Sequence, residues 1–230
     1  MKNKILLFTN LLFISAVSIL NVFYQLKDFN YTLKCITSFL FATLGIINLI
    51  YAKKTNLNNT SFYTFQVIAL ILAMLGDILI NINFIVGAAT FALGHIVFIF
   101  AYNTLIKLRA KDILFGTLLF IGAGAFILFY PRFDFGGIIM KIVCLVYALI
   151  ISFMLGKALG NFFLKKNAVN TTILLGSILF FFSDLMLALG RFTDLDSWTS
   201  HACMGTYYPA LCLLAFAMHL KIRKDLKVKT

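Results

Sequence analysis

Two aspartates lie inside long apolar stretches of the chain, where a carboxylate is costly. Asp77 stands in the segment AMLGDILI and Asp184 in FFFSDLML, whereas the other six acidic residues, all aspartates, are predicted in loops or in the C-terminal tail. A carboxylate deep in a membrane costs about 2.5–3.5 kcal/mol on insertion scales. One such residue can simply tie helices together, but two in similar settings favour chemistry, because carboxyl groups serve as general acids and as stabilisers of cations.

Other polar residues recur near these aspartates at helical spacing. His95 and Tyr102 stand seven residues apart, as do Ser177 and Asp184, so each pair shares a helix face. Such stripes line helix interfaces or a wet cavity, and together they favour an internal polar site in the half of the bundle away from the N-terminus. Two further stripes are predicted, one with Gln66, Ala73, Asp77 and Asn81 and one with Lys34, Ser38, Gly45 and Asn48.

The elements that position these residues are predicted to be membrane-spanning helices in a single domain, residues 1–230. The chain is 62% hydrophobic and only 12% charged, against about 25% charged in soluble domains. Each apolar segment has a length near the roughly 20 residues that a span needs, and in lipid only a helix satisfies its own backbone. The predicted all-α bundle has eight spans: about 5–24, 32–51, 62–82, 85–106, 113–130, 136–158, 170–190 and 199–220.

The lysines and arginines predict the orientation of this bundle. Fifteen of the 20 fall on the side of the N-terminus and five on the other side. The positive-inside rule therefore predicts that both termini are cytoplasmic. The net charge of +12 is explained by this distribution and by anionic lipid, without nucleic acid as a partner.

An equal spacing suggests an internal repeat. Lys34 and Asp77 are 43 residues apart, and so are Lys141 and Asp184, with the lysine early on an even-numbered span and the aspartate late on the next. We therefore hypothesise two parallel four-helix halves, offset by 107 residues, that bring the aspartates to face one another. Evenly spaced hairpins would give similar offsets without a repeat.

An ordered set of motifs resembles the YhhN family of membrane proteins, which includes the eukaryotic transmembrane lysoplasmalogenases. The likeness covers most of the chain. Lys34 is similar to the lysine of the family's Lys-Pro motif, with Cys35 in place of proline, and the glutamine that usually follows the last aromatic pair is absent. The other matching motifs are Gly76-Asp77, Phe91 to His95, Tyr147, Met154, Leu179 to Leu187 around Ser183-Asp184, and Tyr207-Tyr208.

The resemblance implies hydrolysis of the vinyl ether bond of a lysophospholipid substrate, without a metal or other cofactor. Asp77 and Asp184 would then be a general acid and an ionised carboxylate that stabilises the cation, in an order that the sequence leaves open. His95 would relay protons or position water, or would tie helices together. Lys34 would bind phosphate or extend to the interface. Tyr147 is assigned to the site by the resemblance. Ser183, Tyr207 and Tyr208 are further candidate substrate-binding donors, or residues that pack between helices.

Three other functions compete with a metal-free hydrolase. A zinc hydrolase fits poorly, since His201 and His219 would lie roughly 27 Å apart on one helix. A proton-coupled transporter would use the same Asp, Lys and His cluster, although few glycines or prolines interrupt the spans. A non-catalytic lipid-binding protein would turn nothing over. The composition suggests a bacterial cytoplasmic membrane, while the headgroup and the oligomeric state stay open.

Overall fold

The protein is all-helical in the part that the structure describes, and eight helices are long and apolar enough to cross a membrane. The computed structural model describes residues 2–27, 29–57 and 60–229, and the side chains of these residues except 2, 3, 196, 197, 228 and 229. Asp28 and Asn59, at two predicted loops, lie outside the described residues. The helices are α1 (Lys2–Leu26), α2 (Tyr31–Lys54), α3 (Ser61–Leu79), α4 (Phe84–Leu105), α5 (Ala110–Phe129), α6 (Ile138–Leu164), α7 (Ala168–Phe192) and α8 (Asp196–Lys229).

Asparagines begin three of the helices. The side chains of Asn30, Asn83 and Asn167 accept hydrogen bonds from the backbone three residues on and so cap α2, α4 and α7. At the turn between α3 and α4, Asn81 donates to the Asp77 carbonyl at 2.8 Å. The helix therefore ends at Leu79, three residues earlier than predicted.

Helices α6 and α8 extend well beyond the C-terminal ends that hydropathy predicted. Helix α6 continues to Leu164 instead of residue 158, and α8 runs to Lys229 instead of ending near 220. Within α8, Lys221 pairs with Asp225, which also accepts a hydrogen bond from Tyr63 at 2.9 Å. Hydropathy ends a span at its first charges, whereas a helix continues while its polar groups find partners.

Asp112 corrects a second prediction, because it lies in the first turn of α5 and not in a loop. Its carboxylate is buried and lies 2.8 Å from Lys157 Nζ and 2.9 Å from Arg109. Lys157 also donates to the Asn161 side chain and to the Ile106 and Lys107 carbonyls. These bonds join α5 to α6 at the N-terminal end of the bundle.

The helices are arranged as a ring with one helix outside it. Around the ring α1, α2, α3, α4, α6, α7 and α8 each contact their neighbours, and α8 closes the ring against α1 while also packing on α2 and α3. Among the described helices, α5 has its close backbone contacts with α6 alone. Lys34, Asp77, His95 and Ser177 are buried within this ring, whereas Asn81 is exposed at the turn between α3 and α4.

Candidate active site

Asp77, near the end of α3, is buried among polar groups from α2 and α8. Its carboxylate accepts hydrogen bonds from Ser38 Oγ at 2.6 Å and from the Tyr207 hydroxyl at 2.8 Å. Lys34 Nζ lies 3.7 Å from the other oxygen, and the Asp77 side chain is 2% exposed. The ammonium and the two hydroxyls compensate an ionised carboxylate for the water that it has lost.

Asp184, on α7, has a different set of partners, from α4 and α6. The Tyr147 hydroxyl donates to its carboxylate at 2.7 Å, and His95 Nε2 lies 3.2 Å from the same oxygen. The imidazole also reaches the Tyr147 hydroxyl at 2.9 Å, and its Nδ1 lies 3.3 Å from the Met154 sulfur. Three groups that can donate or accept a proton therefore meet within hydrogen-bond distance.

Both aspartates line one polar cavity of about 600 Å³ at the end of the bundle away from the N-terminus. We define this polar cavity by Tyr24, Lys34, Asp77, Asp184, Arg191 and Tyr207, which line it with further residues of α4 and α8. Asp184 is the more accessible carboxylate, since its side chain is 11% exposed. A polar ligand in this cavity would meet both carboxylates.

A second, mostly apolar pocket adjoins the polar cavity between α4, α5, α6 and α7. We define this apolar pocket by Ala88, Ala123, Ile127, Val143, Tyr147 and Asp184, and its volume is about 80 Å³. Five residues line both spaces: Ile80, Phe84, Phe91, Asp184 and Leu187. Asp184 therefore lies at the border between a polar and a mostly apolar environment.

The other candidate residues lie at varying distances from this site. Ser183 is buried and donates to the Phe180 carbonyl of its own helix at 2.7 Å. The Tyr208 hydroxyl lies 3.4 Å from both Ser38 Oγ and the Lys34 carbonyl, so it supports the surroundings of Asp77. Ser38 was not among the predicted site residues, although its position four residues after Lys34 placed it on the same helix face.

The equal spacing of the two lysine–aspartate pairs does not give equal surroundings. Lys34 and Asp77 form an ion pair. Among the described residues the carboxylate of Asp184 pairs with His95 and not with Lys141. The internal repeat stays a prediction.

A family model decides the classification of the chain. The model of the YhhN family matches residues 30–218, which is most of the sequence. This chain belongs to the YhhN family. The resemblance inferred from the motifs is thereby confirmed, and comparisons with curated proteins and with solved structures gave no match.

The YhhN match places the site within the shared part of the sequence. The matched residues run from the start of α2 into α8 and include Asp77, His95 and Asp184. Helix α1 lies outside the match but contributes Tyr24 to the wall of the polar cavity. The polar cavity and the apolar pocket are therefore built mainly from the region that the YhhN family shares.

Proposed function

We propose that this YhhN protein is a membrane-embedded hydrolase that cleaves the vinyl ether bond of lysoplasmalogens and releases a fatty aldehyde and a glycerophospho-base. The observation that carries the proposal is the pair of carboxylates on one cavity with different partners: Lys34 and two hydroxyls at Asp77, and His95 with Tyr147 at Asp184. Environments that differ in this way are how two carboxyl groups take different roles in one reaction.

The reaction begins with transfer of a proton to carbon. An acid protonates the outer carbon of the C=C–O unit, and the electron pair of the double bond forms the new C–H bond, which leaves an oxocarbenium ion. Water adds to its positive carbon and gives up a proton to a base, which yields a hemiacetal. The hemiacetal hydroxyl then loses its proton as the C=O bond of the aldehyde forms and the bond to the glycerol oxygen breaks. That oxygen takes a proton, and one water is consumed in total.

We assign the acid role to Asp184 and the charge-stabilising role to Asp77. Asp184 is the carboxyl at the border with the apolar pocket, where the ether of a bound lipid would lie, and His95 with Tyr147 can return a proton to it. Asp77, paired with Lys34, remains ionised and stabilises the oxocarbenium ion. Tyr207 and Tyr208 hold the surroundings of Asp77 in place. Lys34 acts here as the counter-ion of Asp77 and not as the residue that binds the phosphate.

The test is aldehyde release from lysoplasmenyl-ethanolamine and lysoplasmenyl-choline by the purified protein. Asp77→Asn and Asp184→Asn should each lower kcat/KM by at least about 100-fold, the lower range for loss of general acid–base catalysis. Asp134→Asn is the matched control, because Asp134 is exposed in the α5–α6 loop and lines neither cavity. Folded wild-type protein that releases no aldehyde from either lipid would refute the proposal.

A proton-coupled transporter of small molecules or lipids is the alternative, because buried Asp, Lys and His also suit proton coupling. Against it, each of the eight helices is continuous over its described length, and α8 continues through Pro209. Carriers commonly bind substrate at broken helices. Uptake of solute by proteoliposomes that produce no aldehyde would favour the transporter.

A further inference from the structure

The apolar pocket has a composition suited to hydrocarbon. Its described lining is apolar except for Cys144, Tyr147 and Asp184. Its volume of about 80 Å³ is smaller than the roughly 150 Å³ dry cavity that accommodates benzene. It therefore has room for part of one thin chain and not for two chains side by side.

The packing of α5 leaves this pocket a route to the membrane. Because α5 packs on α6 and its backbone stays away from α4, no close helix–helix contact of the described residues closes the side between α4 and α5. Towards α7 and α8, Phe126 and Tyr130 of α5 pack against the apolar cluster of Met186, Leu189 and Cys203. The end towards water is covered by the α5–α6 loop, where Asp134 N donates to the Phe192 carbonyl at 2.8 Å and Phe135 packs on the Phe192 ring. A chain would therefore enter sideways, from the bilayer.

Arg191 supplies a positive charge in the polar cavity, which adjoins the apolar pocket at Asp184. It lines the polar cavity, is exposed, and its guanidinium lies 5.5 Å from the centre of the Phe84 ring. Phe84 lines both the polar cavity and the apolar pocket. No carboxylate among the described side chains forms an ion pair with Arg191, so the guanidinium is available to an anion.

The spacing of Asp184 and Arg191 matches the polar part of a lysophospholipid. Seven residues of α7 separate them, which places their backbones about 10.5 Å apart along one helix face. The ether oxygen and the phosphorus of such a lipid are five bonds apart. They lie roughly 6 Å apart if each bond extends as far as a bond of a fully extended polypeptide. The long arginine side chain spans the remainder.

We propose that the apolar pocket binds the glycerol end of the single hydrocarbon chain of a lysophospholipid drawn from the bilayer, while Arg191 binds its phosphate. The bond between chain and glycerol is thereby held at Asp184. Only the chemical step at Asp184 rests on the proposed function, because binding of the lipid requires no turnover. The residues that set specificity are then the small side chains of the apolar pocket and the Arg191 guanidinium in the adjoining polar cavity.

The test measures binding of a saturated 1-O-alkyl lysophosphocholine, which has no vinyl ether to hydrolyse, to the full-length protein. Ala123→Trp fills the pocket and should weaken binding by at least about tenfold, or about 1.4 kcal/mol. Leu118→Trp is the matched control on the lipid-facing side of the same helix and should bind like wild type. Equal affinities of the two tryptophan variants, both folded, would overturn the proposal.

Arg191 is tested with a pair of ligands. Arg191→Gln should weaken binding of the alkyl lysophosphocholine by roughly tenfold, as expected for loss of a hydrogen bond to a charged group. It should leave binding of 1-O-alkylglycerol, which lacks the phosphate, near the wild-type value. Arg132→Gln removes an exposed positive charge from the same end of the bundle and should change neither. An equal loss for both ligands would overturn the role of Arg191.

Photocrosslinking of the wild type removes any dependence on variant folding. A lysophosphocholine with a diazirine on the first carbons of its chain, next to the ether, should label α5 and α6 around Ala123, Ile127 and Val143. Labelling confined to exposed α1 residues such as Phe8 and Leu12 would overturn the proposal. Binding with the expected pattern but without aldehyde release would support this inference and refute the hydrolase, and aldehyde release insensitive to Ala123→Trp would do the reverse.

Discussion

Three aspartates in this chain show how one residue type takes different roles through its partners. Asp112 is enclosed by Arg109 and Lys157, so it is satisfied and serves to join helices. Asp77 has one ammonium and two hydroxyl donors and faces a cavity. Asp184 lies within hydrogen-bond distance of His95 and Tyr147 and faces both the polar cavity and the apolar pocket. Asp77 and Asp184 are therefore accessible to a ligand in a cavity, whereas Asp112 is not among the residues that line either one.

The Tyr147 hydroxyl gives a prediction at this scale. Tyr147→Phe keeps the ring but removes the donor to Asp184 and the contact to His95. We expect kcat to fall by at least about tenfold with a smaller change in KM, because the hydroxyl stabilises the charge that develops on Asp184 as it gives up its proton, and a hydrogen bond to a charged group contributes about 1.5–3 kcal/mol. Tyr130→Phe, outside both cavities, should keep the wild-type kcat. A change confined to KM would contradict the proton-exchange role.

The Lys34–Asp77 ion pair gives a second prediction. Lys34→Met should destabilise the protein by about 3–5 kcal/mol, because a buried carboxylate is left without its counter-ion. The double variant Lys34→Met/Asp77→Asn should recover most of this loss, since the remaining amide is neutral. Thermal unfolding in detergent of the wild type, both single variants and the double variant measures the coupling. Additive losses would show that the two side chains do not stabilise one another.

At the scale of the helices, the position of α5 distinguishes the two halves of the chain. In a parallel repeat of four helices, α5, α6 and α8 are the counterparts of α1, α2 and α4. The contact of α2 with α8 then corresponds to that of α6 with α4, and both exist. The contact of α1 with α8 corresponds to one of α5 with α4, and only the first exists among the described helices. The apolar pocket occupies the space where that contact would be. If the repeat exists, its departure from symmetry is what provides the pocket.

Glycines set how closely α5 approaches α6, and they give a third prediction. A Cβ on Gly156 would lie 2.6 Å from Gly116 Cα, a backbone atom that cannot yield without a shift of the helix. Gly156→Ala should therefore lower the melting temperature. Gly122→Ala is the matched control, since nothing lies within 4 Å of its Cβ position, and alanine favours a helix by about 1 kcal/mol over glycine. Equal melting temperatures for the two variants would contradict this packing.

On the scale of the whole molecule, the site and most of the positive charge lie at opposite ends. The polar cavity opens where α1, α3 and α7 end, whereas 15 of the 20 lysines and arginines were assigned to the side of the N-terminus. If that charged side is cytoplasmic, the site faces the outer half of the membrane. Lysolipid would then be hydrolysed in the non-cytoplasmic leaflet.

Reporter fusions test this orientation, which is the fourth prediction. Expressed in a bacterial cytoplasmic membrane, a C-terminal green fluorescent protein fusion should fluoresce and a C-terminal alkaline phosphatase fusion should be inactive. Alkaline phosphatase inserted after Arg132, in the α5–α6 loop, should be active. The inverse pattern would place the site in the cytoplasmic leaflet and reverse the predicted topology.

The sequence alone determined the features that depend on neighbouring residues. Apolar length specifies a spanning helix because lipid leaves the backbone no other partners, so eight spans and the unusual positions of Asp77 and Asp184 could be predicted. The ordered motifs identified the family in the same way. Helix ends were predicted less accurately where charged side chains found partners inside the bundle, as at Asp112 and Lys157.

Only the tertiary structure decided which partners each aspartate has. Asp77 binds Ser38 and Tyr207, 39 and 130 residues away, and Asp184 binds His95, 89 residues away. Such contacts depend on the order in which helices pack and on the rotation of each helix about its axis. A periodic pattern in the sequence gives the polar face of a helix but not the helix that it meets. The apolar pocket has the same origin, because it exists only where α5 packs against α6 and not against α4.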